Sequence, residues 1–215
     1  MIVVICSGGP ANELCAFDDF RNRADVVWIG ADRGAYHLLQ YGIVPHEIVG
    51  DFDSVSMAEW NRITAVVPNV ERYQAEKDET DTDLALYKAL TYQPQKIILT
   101  GVTGQRLDHY EAALRTVCKL QLKYSNIEFE IKNYRNCLRF LTAGNYSVQA
   151  NRQYPYLSFF AYGEKVRGMT LRGVKYETTE EEIDMWSSRF TSNEIIDEAH
   201  ISFQSGICLM VRSAD

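Results

Sequence analysis

Lys96-Ile97-Ile98-Leu99-Thr100-Gly101-Val102-Thr103-Gly104, followed by Leu107, Tyr110, Leu114, Val117 and Cys118, is the stretch that decides the fold. The first part is a short β-branched run closed by a glycine turn, and the second places apolar residues at helical spacing. A strand feeding an amphipathic helix through a tight turn is the repeating unit of a parallel α/β sheet. The apolar stripe of this helix is expected to lie on that sheet.

Working outward, the same alternation covers residues 1 to about 132. Further strands are predicted at Ile2 to Cys6, Val26 to Gly30, Glu47 to Gly50, Val66 to Val70 and Ile127 to Ile131, with a helix at Thr82 to Leu90. After Asn133 the pattern changes to short runs rich in Tyr, Phe, Val and Leu, broken by Gly144-Asn145, Tyr162-Gly163, Arg167-Gly168, Arg172-Gly173 and Ser205-Gly206. Such spacing predicts antiparallel strands in a sandwich or barrel. The fold class is therefore α/β, an N-terminal three-layer domain with a parallel sheet (1–134) followed by a C-terminal antiparallel β domain (135–215).

With 215 residues and 46% hydrophobic content, the chain can bury a full core. A formal charge of -7 argues against a nucleic-acid partner, since phosphate-backbone binders carry a basic footprint. The apolar run Ile2 to Cys6 has no basic lead-in and stops at Ser7-Gly8-Gly9-Pro10, so it reads as a strand and not a signal peptide. No apolar stretch approaches the roughly 20 residues of a membrane helix. Cys6, Cys15, Cys118, Cys137 and Cys208 are scattered without a C-x-x-C pair, which fits reduced thiols in a cytoplasmic protein.

In such sheets ligands bind beyond the carboxyl ends of the strands. Here those ends lead into Ser7-Gly8-Gly9, Ala31-Asp32-Arg33-Gly34, Asp51-Phe52-Asp53-Ser54 and Gly101-Val102-Thr103-Gly104, and Asp78-Glu79-Thr80-Asp81 precedes the helix at Thr82. Crowded carboxylates repel one another unless a cation intervenes, and Mg2+ suits hard oxygen ligands that are shared with phosphates. Asp51 and Asp53 lie two apart, so in an extended segment both side chains project to one side. Glycine turns bring backbone N–H groups to phosphate oxygens. These residues point to a Mg2+-dependent enzyme acting on a nucleotide polyphosphate.

Other residues have plainer readings. Thr80 with Asp83 forms a capping box, and Asp108 favours the start of the long helix electrostatically. Arg106 can present its planar fork to a phosphate. His37, His46, His109 and His200 have no partner at zinc-like spacing, and Trp28, Trp60 and Trp186 read as packing residues. Neither G-x-x-x-x-G-K-[ST] nor G-x-G-x-x-G occurs after the first strand, so a standard P-loop is excluded.

Taken together, Ala31-Asp32-Arg33-Gly34, Gly50-Asp51-Phe52-Asp53-Ser54, Lys77-Asp78-Glu79-Thr80-Asp81 and Gly101 to His109 resemble the bacterial thiamine pyrophosphokinases, as do Val166 to Tyr176, Thr191-Ser192-Asn193-Glu194 and Gly206 to Asp215. The resemblance implies transfer of a diphosphoryl group from ATP to the hydroxyl of thiamine, giving thiamine diphosphate and AMP. It also implies an N-terminal α/β domain, a C-terminal β domain for thiamine binding and dimerisation, and a homodimer with active sites between subunits. By position, Asp51, Asp53, Asp78 and Asp81 would hold Mg2+ and the ATP phosphates, with Asp78 or Asp81 taking the hydroxyl proton. Asp32, Arg33, Thr80, Gly101, Gly104, Arg106 and Asp108 would complete the nucleotide site. Tyr176 would stack on thiamine, and Ser192 with Asn193 would contact its pyrimidine. The chain departs from the family pattern at Gln105, where a second glycine is usual, and along Asp184 to Phe190.

Two alternatives remain at this level. Asp51-Phe52-Asp53-Ser54-Val55 also resembles the D-x-D-x-[TV] signature of haloacid-dehalogenase-type phosphatases, with Asp51 as a covalent nucleophile. A non-enzymatic nucleotide or thiamine sensor is the other.

Overall fold

The computed structural model describes residues 1–67, 70–72 and 79–215, which divide into two compact units, Met1–Tyr134 and Arg135–Asp215. Among the described residues no helix is long and apolar enough to cross a membrane.

Among the described residues unit 1 carries six strands, β1 (Ile2–Cys6), β2 (Val26–Ala31), β3 (Glu47–Gly50), β4 (Val70–Arg72), β5 (Lys96–Thr100) and β6 (Glu128–Lys132). They pair in the order β6-β5-β1-β2-β3-β4, every pair parallel. Among the described residues four α-helices lie in the connections that follow β2, β3, β4 and β5: α1 (Gly34–Gln40), α2 (Met57–Thr64), α3 (Asp81–Leu90) and α4 (Leu107–Lys123). Because β-α-β crossovers are right-handed, the reversal of direction between β4 and β5 puts α1 and α2 on one face and α3 and α4 on the other. That is why Val3, Val4, Ile5, Ile97, Ile98 and Leu99 are all buried as unbroken runs: each strand is covered on both sides. Val4, Trp28 and Ile98 pack with Leu38 of α1 and with Phe17. Their neighbours along each strand point to the opposite face.

Helices α2 and α3 both begin with a capping box. Ser56 Oγ accepts from Glu59 N at 3.3 Å and Glu59 Oε2 from Ser56 N at 2.9 Å, while Thr80 and Asp83 repeat the arrangement at 3.1 and 3.0 Å. Replacing Ser56 by alanine removes both bonds of its hydroxyl, the one accepted from Glu59 N and the one donated to Glu59 Oε2, and is expected to lower unfolding free energy by about 1 kcal/mol. A denaturation midpoint unchanged from wild type would refute this.

Three expectations are corrected. Val66 and Val67 are not the start of a strand: both donate to Ile63 O in the turn that ends α2, and Val67 packs against Ile63 and Ile48, so the strand begins at Val70. The buried stripe of α4 is Ala113, Leu114, Val117, Cys118 and Leu120, whereas Leu107 is 79% exposed in the first turn, beyond the sheet edge. Trp186 is not a packing residue, being 91% exposed.

Unit 2 is entirely antiparallel: β7 (Asn136–Gln149), β8 (Tyr156–Ala161), β9 (Val166–Val174), β10 (Thr178–Ile183) and β11 (Asn193–Ser213). Strand β11 organises it. Along one edge it pairs with β7; along the other it pairs with β9 in its first part and with β8 in its last. Because β8 also pairs with Asn193 and Glu194, both ends of β11 flank it and the sheet rolls closed over Leu157, Phe159, Met169, Leu171, Ile201 and Met210.

Candidate functional site

In unit 1 the chain leaves β1 towards β2 but leaves β5 towards β6, in the opposite direction. Diverging connections open a crevice at the carboxyl edge, between β1 and β5. A cleft of about 490 Å³ lies there, walled by the turns Ser7–Gly9, Ala31–Arg33, Asp51–Ser54, Glu79–Thr82 and Gly101–Thr103, and by Gln105, Arg106 and His109. The flush register makes this possible, since Cys6 pairs with both Gly30 and Thr100 and the following turns emerge side by side.

Glycines set the floor. Gly9 N donates to Gly101 O at 2.8 Å, and a Cβ on Gly101, at φ +77°, would sit 2.3 Å from Ser7 O. Two backbone turns therefore run in direct contact, which the absence of a side chain at Gly9 and Gly101 permits.

The acidic wall is formed by Asp32, Asp51 and Asp53, which can bring one carboxylate oxygen each within 4.8 Å of the others. Their approach differs from the extended geometry expected. Phe52 adopts φ +63° and packs on Trp60 at 4.9 Å, so the loop folds over and Asp53 N donates to Asp51 Oδ1 at 3.1 Å. Asp32, at φ +51°, turns in from the neighbouring strand. One of its oxygens accepts from Ser54 Oγ; the other is buried and has no hydrogen-bond partner. Burial raises the Asp32 carboxyl above its usual range, against the hydrogen bonds from the Ser54 hydroxyl and the Arg33 backbone, and the Asp81 and Asp53 charges add to the rise. An orphaned buried carboxylate oxygen beside two more carboxylates is a donor set that fits a hard divalent cation.

Asp81 opens α3 and lines the cleft, and Thr82 beside it meets Ser7 hydroxyl to hydroxyl at 3.0 Å. Thr80 lines it too, with its hydroxyl capping the helix. Asp78 lies outside the described residues. Arg106 is on the wall, in a bidentate pair with Asp108 at 3.1 and 2.6 Å that pulls the Asp108 carboxyl down to about 2. Gly104 and Asp108 are not among the lining residues. Arg33 is, and its guanidinium pairs with Glu59.

Sequence reasoning missed Ser54, Thr82 and His109 as wall residues. Side chains on a helix lean towards its N-terminus, so residues in the first turn of α3 and α4 reach the cleft; that was the available signal for Thr82 and His109.

In unit 2, Tyr176 is exposed on the turn between β9 and β10, and Asn193 holds it there. The buried Asn193 amide accepts from Tyr176 N at 3.0 Å and from Glu194 N at 3.0 Å, and donates to Tyr176 O at 2.9 Å. Ser192, at φ +56°, has its N–H bound to Ser158 Oγ at 2.9 Å. Lys175 Nζ lies 5.6 Å from the Tyr176 ring centroid and 2.7 Å from Glu194 Oε1. Asn193→Ala would leave the Tyr176 main chain without these bonds and is expected to cost about 2 kcal/mol. Denaturation of the variant within about 0.5 kcal/mol of wild type would show that the clamp is dispensable.

Comparison with known proteins gives concordant likenesses for both units. The family model "Thiamin pyrophosphokinase, catalytic domain" matches residues 18–131, and "Thiamin pyrophosphokinase, vitamin B1 binding domain" matches residues 145–208. A curated relative, the thiamine pyrophosphokinase of Bacillus subtilis (strain 168), is 37% identical over 216 residues, covering 98% of each chain. Crystal structures of the thiamine pyrophosphokinases of Bacillus subtilis and Geobacillus thermodenitrificans superpose with TM-scores of 0.93 and 0.89, each at 36% identity, covering all of this chain and 100% and 98% of theirs. The enzyme of Candida albicans, at 14% identity and a TM-score of 0.85 over 99% of this chain and 89% of its own, shares the fold. Nothing in these likenesses supports the phosphatase or sensor alternative.

Proposed function

The chain belongs to the thiamine pyrophosphokinase family, and on that premise we propose that the cleft of unit 1 is where it transfers the diphosphoryl group of ATP to thiamine. The observation that carries this assignment is the cluster of Asp32, Asp51 and Asp53 facing the glycine turns at Gly9 and Gly101 across one crevice.

In the reaction, the thiamine hydroxyl oxygen forms a bond to the β-phosphorus of ATP as the bond between that phosphorus and the α,β-bridging oxygen breaks. AMP leaves with that oxygen, and the hydroxyl proton passes to a carboxylate, Asp81 or Asp78. Asp32, Asp51 and Asp53 would hold Mg2+, with Asp81 lining the same cleft; when bound, the ion would offset phosphate charge and orient the phosphates for in-line attack. N–H groups of the glycine turns other than that of Gly9, which is bound to Gly101 O, receive the phosphate oxygens, and Arg33 and Arg106 balance their charge from the wall. No covalent enzyme intermediate is required.

Tyr176 of unit 2 offers an aromatic face to thiamine, with Ser192 beside it. Asn193 acts here chiefly by fixing the Tyr176 main chain, since its amide is engaged there. The functional unit is a homodimer with active sites between subunits, working in the cytoplasm without a nucleic-acid or membrane partner; sedimentation at twice the monomer mass is expected.

Incubating the protein with ATP, Mg2+ and thiamine should yield AMP and thiamine diphosphate in equal amounts. ADP with thiamine monophosphate, or inorganic phosphate alone, would overturn the assignment.

A further inference from the structure

Glu59 caps α2, yet capping uses only one of its oxygens. Oε2 accepts from Ser56 N at 2.9 Å and Ser56 Oγ at 2.8 Å. Oε1 is turned away from the helix and accepts from Arg33 Nε at 3.1 Å and Nη2 at 2.8 Å. The Glu59 side chain is 12% exposed and that of Arg33 46%, so a sheltered anion anchors a cation whose outer side faces solvent. Arg33 lines the cleft; Glu59 does not.

The anchor lies in a wider arrangement. Asp32 and Arg33 are consecutive in the turn after β2, and each is tied to the segment that follows β3: Asp32 to Ser54, and Arg33 to Glu59. The first tie fixes an anionic group of the proposed metal site, and the second fixes the guanidinium of the next residue, which lines the same cleft. Hydrogen bonds to Glu59 occupy Nε and one hydrogen of Nη2, which orients the fork and leaves the Nη1 edge for an oxygen ligand. An arginine already held in its binding rotamer loses less conformational freedom when a phosphate arrives.

We infer that Glu59 is a positioning residue for nucleotide binding, acting through Arg33 to present a guanidinium to the polyphosphate of ATP. The inference rests on the reading of the cleft as the ATP site. It assigns to one carboxylate two separable tasks: capping α2 through Oε2 and aiming Arg33 through Oε1.

Glu59→Gln separates them. Glutamine also serves as the third residue of a capping box, but its single acceptor oxygen can satisfy Ser56 or Arg33, not both. With the oxygen on Ser56 N–H, the amide NH2 faces the guanidinium, donor against donor. Titrating the intact protein with ATP and Mg2+ in the absence of thiamine, by calorimetry, is expected to show Kd about 10-fold weaker in Glu59→Gln, with the denaturation midpoint close to wild type. In turnover, KM for ATP should rise more than kcat falls, and KM for thiamine should not move. Ser56→Ala should do the reverse, lowering stability and leaving the Kd for ATP unchanged. Finally, Glu59→Gln combined with Arg33→Ala should bind ATP no more weakly than Arg33→Ala alone. An unaltered Kd in Glu59→Gln, or additive losses in the double variant, would overturn the inference. A wild-type protein that binds ATP but yields no AMP and thiamine diphosphate would instead refute the reading of the reaction, because the binding measurement needs no turnover.

Discussion

Asp53→Asn is expected to reduce kcat/KM for diphosphoryl transfer by about 10³-fold or more, roughly 4 kcal/mol of transition-state stabilisation, without lowering the stability of the protein. The reasoning starts from what Asp53 does in the fold, which is little. Its side chain is exposed, and the one local bond at this position runs from its backbone N–H to Asp51, which asparagine preserves. Its carboxylate is nevertheless one of three that converge with Asp32 and Asp51. Gathering three anions without a cation is unfavourable, so removing one charge should, if anything, raise the denaturation midpoint of the metal-free protein. Loss of activity with stability kept or gained separates a ligand of the proposed metal site from a structural carboxylate. A variant with activity within 10-fold of wild type would remove Asp53 from that role. The same substitution made at Asp32 would give a mixed answer, because its carboxylate also accepts from Ser54 and lies half buried.

The parallel half of the fold was readable because its signals are local and doubled. β1, β3 and β5 each hold an unbroken apolar stretch and run within two residues into glycine or aspartate, and a strand buried on both faces leaves no polar alternation to blur them. Where the signal was not unique, the reading failed. Val66 and Val67 are as apolar as a strand, but a helix end packed on the sheet buries valines equally well, and only the bonds to Ile63 distinguish the two. The site was readable for a topological reason: parallel strands deliver all their carboxyl ends to one edge, so the residues that follow them meet whatever their separation in sequence. What no local pattern conveyed was how they meet. The left-handed turns at Asp32 and Phe52 and the Ser54 tie depend on two loops being adjacent in space. Glu59 escaped notice for a different reason, since S-x-x-E before a helix already has a sufficient explanation and nothing local signals its second oxygen. The thiamine contacts proposed for Tyr176 and Asn193 were legible only through the family resemblance, because an exposed tyrosine on a turn is ordinary.

Gly34→Ala should be the most destabilising single-methyl change at the site, costing about 3 kcal/mol or more. Gly34 reads in sequence as the glycine that ends a turn, but it is the first residue of α1, pressed on the end of β1. A Cβ there would lie 1.8 Å from Cys6 O, 2.4 Å from Cys6 C and 2.9 Å from Ser7 C. All three are backbone atoms. They belong to a strand paired on both sides, with Cys6 facing Gly30 and Thr100, and Ser7 N bound to Thr100 O at 2.8 Å, so no side chain can swing aside to make room. Either α1 lifts from the sheet or β1 shifts within it. Both movements displace the Ser7–Gly9 and Asp32–Arg33 turns, so ATP binding should weaken along with stability. Gly42→Ala provides the control. Gly42 sits at φ +72° with nothing within 4 Å of a built Cβ, so its alanine variant carries only the left-handed backbone cost of about 1 to 2 kcal/mol and no clash. Chemical denaturation of the two variants side by side isolates the contact, since both lose the same glycine flexibility in the unfolded chain. If Gly34→Ala unfolds at or above the midpoint of Gly42→Ala, the close seat of α1 on β1 is not what holds these turns, and the floor of the cleft must owe its shape to the Gly9 and Gly101 contact instead.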